Sequence, residues 1–323
     1  MPDSPPAEKT ESVIVSIVTW NHAASIVACL ESIFRQTRRP DEVHVFDNAS
    51  HDQTRVVLDR FCDRVELKFN SENIGFCCGH NFIINSSESD FIFLVNPDIV
   101  MEPHWIERAL EAMHSDAKVG TVCGLLLQNE EVIDGTGLLF SRSRRFLLRD
   151  HGKRRSKATR GPGEVFGADG ALPLFRRAMI DDVSLDGSFF DPEFFAHKED
   201  HDIAWRSRLF GWKTFFQPEC VAFHPRVFRP GDLALRKTLA PEMKYHAVKN
   251  DLIMLLKNEA CASFLRDCLW IVPRRIAIAF YSLFFERRSF AAYGYVVRHL
   301  QRILRQRKQI QTRRRVSAAS SSR

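Results

Sequence analysis

Short apolar runs rich in β-branched residues recur along the first part of the chain, and apolar positions between them fall at helical spacing. Val13-Ile14-Val15-Ser16-Ile17-Val18, bounded by polar residues, predicts a buried strand. Ile26, Leu30, Ile33 and Phe34 then recur three and four apart and predict a helix. Arg38-Arg39-Pro40-Asp41 punctuates the chain before a second strand, Val43-His44-Val45-Phe46. Asp52 is placed to cap a helix carrying Val56, Val57 and Phe61. Val65 to Phe69 predicts a third strand, the stretch after Gly75 a third helix, and Phe91-Ile92-Phe93-Leu94-Val95 a fourth strand. Pro103 suits the first turn of a helix reaching Met113, and Val119 to Leu127 predicts a further strand.

Strand and helix alternate in this way at the spacing of βαβ units, which argues for an α/β fold: a mostly parallel sheet with helices on both faces. Ligands of such sheets bind beyond the carboxyl ends of the strands. Those places hold Thr19-Trp20-Asn21, Asp47-Asn48-Ala49-Ser50 and Asn96-Pro97-Asp98. Polar residues there are not needed to hold a sheet together.

Arg142 to Gly163 is basic, with Gly and Pro but without apolar periodicity, and reads as a mobile surface loop. A second structured stretch, Val165 to Phe228, carries Phe189-Phe190-Asp191-Pro192-Glu193-Phe194-Phe195 and then Glu199-Asp200-His201-Asp202, entering a helix. Beyond Pro230 the composition is helical. Phe264 to Phe285 is apolar, interrupted by Arg266, Asp267, Arg274, Arg275 and the central Pro273. No charge-free stretch there reaches spanning length, and the aromatics and flanking arginines suit helices lying in a membrane interface or packed on the α/β domain. The expected division is a disordered tail over 1–12, the α/β domain over 13–230, a helical region over 231–300 and a basic tail over 301–323.

The net charge of +6 sharpens this division, because eleven Arg and Lys follow Glu286 with no acid among them. Such a block attracts an anionic membrane. It lacks interleaved aromatics and a recognition module, so a nucleic-acid partner is not expected. Eight cysteines without CxxC pairs read as reduced thiols, and no secretory signal opens the chain, which points to the cytoplasm.

Each candidate site has a chemical and a structural reading. Asp47, following a strand, can accept hydrogen bonds from a nucleotide base or ribose, or can serve only as a turn residue. Asn96-Pro97-Asp98 delivers an acid abruptly to the sheet edge, where a hard divalent cation bridging carboxylate and phosphate oxygens would neutralise a diphosphate; the triplet is also good turn chemistry. Asn73-Ile74-Gly75-Phe76-Cys77-Cys78-Gly79-His80-Asn81 places small residues at a helix start, for close approach to phosphate or sugar or for helix–sheet packing. Glu199, Asp200 and Asp202 gather at a helix start, where the dipole favours them and Asp202 can pair with Arg206. Closely spaced carboxylates also push pKa values apart, as a general base near neutral pH requires. His197 and His201 lie four apart, but Lys198 stands where a metalloprotease zinc pattern needs Glu. His224, after the strand-like Cys220 to Phe223, is the better ligand candidate, with a buried structural histidine as the alternative.

At these residues the chain resembles the family-2 glycosyltransferases of GT-A fold, particularly the rhamnosyltransferase-like branch. The resemblance runs from Val13 to Pro225 and rests on the order of Val15-Ser16-Ile17-Val18-Thr19-Trp20-Asn21, Val45-Phe46-Asp47-Asn48-Ala49-Ser50, Asn73-Ile74-Gly75-Phe76, Gly79-His80-Asn81, Leu94-Val95-Asn96-Pro97-Asp98, Glu199-Asp200-His201-Asp202 and Arg206. It implies that Asp47 reads the donor base, that Thr19, Trp20 and Asn21 line the nucleotide pocket, and that Asn73, Gly75, Asn81, Asn96 and Arg206 belong to the donor site. Asp98 would hold Mg²⁺ or Mn²⁺ against the diphosphate with His224 as second ligand. Asp200 would be the catalytic base, supported by Glu199 and Asp202. Asn96 stands where many relatives carry an acid, and Gly167 to Pro173 departs from the family's apolar stretch by Asp169 and Pro173. The implied reaction is inverting transfer from dTDP-rhamnose or a UDP-sugar to a lipid-linked or cell-surface glycan at the inner membrane face. The alternative is a degenerate, nucleotide-sugar-binding scaffold subunit.

Overall fold

The run Val13–Thr19 forms β1, and all seven of its residues are buried, as in a strand covered on both faces. The computed structural model describes residues 11–158, 161–225, 236 and 238–316. β1 pairs in parallel with β2 (Glu42–Asp47) on one side and β4 (Phe91–Leu94) on the other; β3 (Glu66–Phe69) extends the sheet beyond β2. Beyond β4 lie β11 (Leu174–Arg176, antiparallel), β6 (Val119–Leu127) and β12 (Lys213–Phe223), the last parallel to β6. Short strands β5 (Val100–Met101), β7 (Ile133–Gly135) and β10 (Gly163–Val165) attach to β12, β6 and β12.

Alternation along β1 assigns its side chains to two cores. Val13, Val15 and Ile17 face one side, with α1 (Ile26–Phe34) and α4 (Trp105–His114), whose Leu30, Ile33, Trp105 and Ile106 are fully buried. Ile14 and Val18 face the other, with α3 (Gly75–Asn85), α5 (Arg177–Val183) and α6 (Glu199–Leu209). The short helix α2 (Thr54–Leu58) starts where Asp52 Oδ1 accepts from the Thr54 amide at 2.9 Å. The expected mixed α/β fold with helices on both faces is the fold observed.

The expected mobile loop over 142–163 is a correction. β8 (Leu138–Phe140) and β9 (Phe146–Leu148) form a hairpin across its start. Arg144, at the hairpin turn, is fully buried and pairs with Glu259 and with Asp267 at 2.9 Å. These partners lie more than a hundred residues away, so no local pattern announces them.

The C-terminal region contains α7 (Pro241–Asn258), α8 (Cys261–Phe285), α9 (Arg287–Arg298) and α10 (Leu300–Arg313). α8 continues through Pro273. The expected basic tail is likewise corrected through Arg313: it is helical, and Arg302 and Arg305 pair with Asp191 and Asp186, each at 3.1 Å. Residues 1–10, the expected boundary at 230 and 231, and 317–323 lie outside the described residues. A buried network fastens α7 to the sheet domain. Lys257, with no exposed surface, meets Asp191 at 2.8 Å and Asp202 at 2.9 Å, and Asp202 also meets Arg206 and Asn258 at 3.1 and 2.6 Å. Such a network holds only when every charge is paired, because an orphaned buried ion costs several kcal/mol.

Candidate active site

Parallel pairing aligns the strand ends. Thr19 and Asp47 are register partners, and the Asn48 amide donates to the Thr19 carbonyl at 2.8 Å. Asp47 is fully buried. Its Oδ2 accepts from Arg55 Nε at 2.7 Å and from the Ser50 amide at 3.2 Å, while Oδ1 has no partner among the described residues. A buried carboxylate oxygen without a donor is costly, and a ligand N–H or O–H would relieve it. Trp20, next after Thr19 in the chain, has about half its surface exposed. Asn21, at φ 60°, turns its own side chain to the β2 loop, accepting from the His51 amide at 2.8 Å. Asn21 therefore ties the turn after β1 to the loop after β2.

The Asn96-Pro97-Asp98 turn leaves β4, and Asp98 acts electrostatically on His22 in the loop after β1, raising a pKa that burial otherwise lowers. β5 follows that turn and pairs with the end of β12, Val100 opposite Phe223, which carries His224 to Asp98. Asp98 Oδ1 lies 3.7 Å from His224 Nε2. His224 Nδ1 lies 2.8 Å from Asp134 Oδ2 on β7, and both residues are buried. A carboxylate on Nδ1 fixes the ring with Nε2 directed outward, the arrangement that orients metal-ligating histidines. One carboxylate and one imidazole fit a divalent cation that takes its remaining ligands from a diphosphate and water. Among the described residues no cluster of three or more acids, cysteines or histidines could enclose a cation by itself.

A second acidic group meets this turn through the segment before β11. The Asn96 amide donates to the Ala171 carbonyl at 2.9 Å, and the Gly170 amide donates to Asp200 Oδ2 at 3.2 Å. A Cβ on Gly170 would come 3.3 Å from that of Asp200, so a side chain there would crowd the carboxylate. Asp200 stands at the start of α6 and accepts from the His201 amide at 2.7 Å. Leu94, Phe175, Phe190 and Ile203 line a small apolar pocket with it. Burial pushes its carboxyl up to about 6, and the neighbouring charge of Asp169 adds to the shift. Burial and Asp200 itself push Glu199 well above the usual range, and its Oε2 has no partner among the described residues. His201 stacks on Phe146 with ring centres 4.2 Å apart, and its burial keeps it neutral.

Five expected site residues are engaged in structural contacts. Asp202 lies in the Lys257 network, and Arg206, equally buried, donates to the Val183 and Phe189 carbonyls. Asn81 exchanges two hydrogen bonds with the Phe190 backbone, 2.8 and 2.9 Å, on the inner face of α3. Gly75, at φ +85°, meets Phe195: a Cβ there would sit 2.5 Å from the Phe195 carbonyl oxygen. The first amides of α3, Phe76 and Cys77, donate to that same oxygen, so this helix start approaches protein rather than phosphate. Asn73 accepts from the Gly75 amide at 2.9 Å and holds this turn. Sequence reading missed Asp134 as the partner of His224, and took Asp169 only as a departure from a pattern. Neither lies in a motif, since each reaches the site by sheet pairing or a turn.

The glycosyl transferase family 2 profile matches residues 14–184. No curated protein sequence matches the chain. Among solved structures, GalNAc-T7 with UDP, GalNAc and Mn²⁺ superposes with a TM-score of 0.60 at 14% identity over 77% of this chain and 48% of that one. The chain thus spans about half the length of that structure. The mannosyltransferase PcManGT from Pyrobaculum calidifontis, with GDP-Man and Mn²⁺, gives 0.55 at 17% identity over 99% of this chain and 89% of that one. S. aureus TarS residues 1–349 with UDP give 0.52 at 15% identity over 77% and 67%. These likenesses show the GT-A fold. With more than half its length matched by the profile and its strand-end acids at the edge of that sheet, the chain belongs to glycosyl transferase family 2.

Proposed function

We propose that the chain transfers a sugar, with inversion, from dTDP-rhamnose or a UDP-sugar to a hydroxyl of a lipid-linked or cell-surface glycan. One observation carries this reading: an Asp200 carboxyl raised to about 6 is tied through Gly170 and Ala171 to the turn that bears Asp98. A base and a cation-binding turn held in one frame are what displacement at an anomeric carbon needs. The bound nucleotides of the three solved neighbours support the donor class.

Asp47 Oδ1 accepts from the donor base, and Thr19 and Trp20 line the nucleotide. Asp98 and His224 would hold Mg²⁺ or Mn²⁺, which would supply Lewis-acid neutralisation of the diphosphate. Asp200 takes the proton of the acceptor hydroxyl. The acceptor oxygen bonds to the anomeric carbon as the bond from that carbon to the phosphate oxygen breaks, and its electron pair leaves with the nucleoside diphosphate. Glu199, whose proton is held tightly by burial, keeps the negative charge beside Asp200 low.

We also propose seating on an anionic lipid surface at the cytoplasmic face. α8 is inside out. Asp267 and Arg275 turn inward to ion pairs with Arg144 and Asp251, whereas Leu265, Leu269, Ile276, Phe280 and Phe284 point outward, each more than half exposed. The helix is long and apolar enough to cross a membrane by length and composition, but its inward ion pairs favour lying along the surface. Exposed Arg287 and Arg298, on the helix that follows, add positive charge that suits anionic headgroups.

The donor is tested by thermal shift with UDP-glucose, UDP-N-acetylglucosamine, GDP-mannose and dTDP-rhamnose, with and without Mn²⁺. A ligand that binds only the folded state raises the melting temperature. The proposal expects at least one uridine or thymidine donor to do so more strongly with Mn²⁺. A donor that binds without any nucleoside diphosphate release on any acceptor would instead support a binding subunit.

A further inference from the structure

The chain enters α6 through three non-glycine residues with positive φ: Phe195 at 23°, His197 at 70° and Lys198 at 73°. Such conformations persist only where surroundings over-determine them, and they concentrate at functional sites. Here every carbonyl from Glu193 to Lys198 has a donor. Lys249 Nζ serves Glu193, and Asn250 Nδ2 serves Phe194, Ala196 and His197 at 3.3, 2.9 and 2.7 Å. The α3 amides of Phe76 and Cys77 serve Phe195, and the Asp202 amide serves Lys198 at 2.9 Å. Asn250 alone covers three of the six, from a fully buried position on α7. Two turns of α7 face this loop, since His246 also stacks on Phe195 with ring centres 5.1 Å apart. The next residues are Glu199 and Asp200.

We infer that Asn250 is a positioning residue for Asp200, acting through the strained Phe195–Lys198 segment. The inference rests on the reading of Asp200 as base. The chemistry is specific: an amide nitrogen shares two hydrogens among three convergent carbonyls, and a carboxylate of the same shape would repel all three. The clasp lies outside the profile-matched residues 14–184, so the helical region completes the catalytic unit.

The test compares wild type with Asn250→Asp, an isosteric change, and Asn250→Ser, which keeps one donor and is neutral. Readouts are amide hydrogen exchange over 194–202 and kcat and KM against pH, using the donor found active in the panel. The expected result for Asn250→Asp is faster exchange confined to 194–202, with β1, β4 and β6 unchanged. Its kcat falls about 10- to 100-fold at nearly constant donor KM, with a displaced acidic limb of the pH profile. Asn250→Ser falls between the two. Unchanged exchange in both variants, or full kcat with an unshifted profile, overturns the assignment. Should Asn250→Asp not fold, Asn250→Ser decides by the same criteria. A wild type inactive on every donor sinks the reading of Asp200 as base and this inference with it, whereas an active wild type beside a fully active variant sinks this inference alone.

Discussion

His224 Nδ1 lies 2.8 Å from Asp134 Oδ2, which fixes the far nitrogen of the ring 3.7 Å from Asp98. Removing the Asp134 charge loosens the hold on the ring's orientation. Asp134→Asn is expected to weaken Mn²⁺ binding about 10- to 100-fold. Calorimetry with Mn²⁺ in the presence of UDP checks this. UDP affinity without metal stays the same, and an unaltered Mn²⁺ affinity would leave Asp134 a purely structural partner.

Because a base must be ionised, kcat is expected to rise with pH through about 6 and then level, following the raised carboxyl of Asp200. Glu199 and Asp200 interact, so the limb reports the pair. A pH–rate profile from pH 4.5 to 8.5 measures it, and a limb near the ordinary carboxylate value would contradict the buried environment.

The same shift has a stability sign. A folded carboxyl raised above its ordinary value contributes stability that is present below that ordinary value, near 4, and lost as pH rises through about 6. Asp200→Asn should therefore melt higher than wild type at pH 8, by roughly 2–3 kcal/mol of stability, and show little gain at pH 4. Paired melting curves at the two pH values test this.

Lys257→Met removes the cation between Asp191 and Asp202 and leaves two buried carboxylates short of a partner. The expected loss is about 3–5 kcal/mol in urea unfolding. A loss below about 1 kcal/mol would mean that Arg302 and Arg206 suffice alone.

On the outward face of α8, Leu269→Glu and Phe280→Glu are expected to lower co-sedimentation with phosphatidylserine vesicles about tenfold each, since each change removes a large apolar side chain from the buried set. UDP binding stays unchanged. Loss of a dimer in light scattering, with vesicle binding intact, would assign the face to a second copy of the chain.

Much of the sheet was readable because its signals are local. β1 is a seven-residue buried run; Thr19 and Asp47 end strands and Asp98 follows one, all announced by plain local apolar runs. Readings failed where long-range contacts decide. Arg144 sits in a basic stretch without periodicity, yet Glu259 and Asp267 bury it. Arg206 and Asp202 match a motif, but Lys257 draws them into the interior. Gly75 resembles a phosphate-binding glycine, and only the fold shows Phe195 pressed against it. The arginines after Glu286 read as a tail until Asp182, Asp186 and Asp191 appear opposite them.

The central claim, glycosyl transfer with Asp200 as base, is most directly tested by nucleoside diphosphate release from the active donor with Mn²⁺ and acceptor, comparing wild type with Asp200→Asn. The expected result is a fall in kcat of about 100- to 10,000-fold with UDP affinity preserved. Full transfer by Asp200→Asn would contradict it.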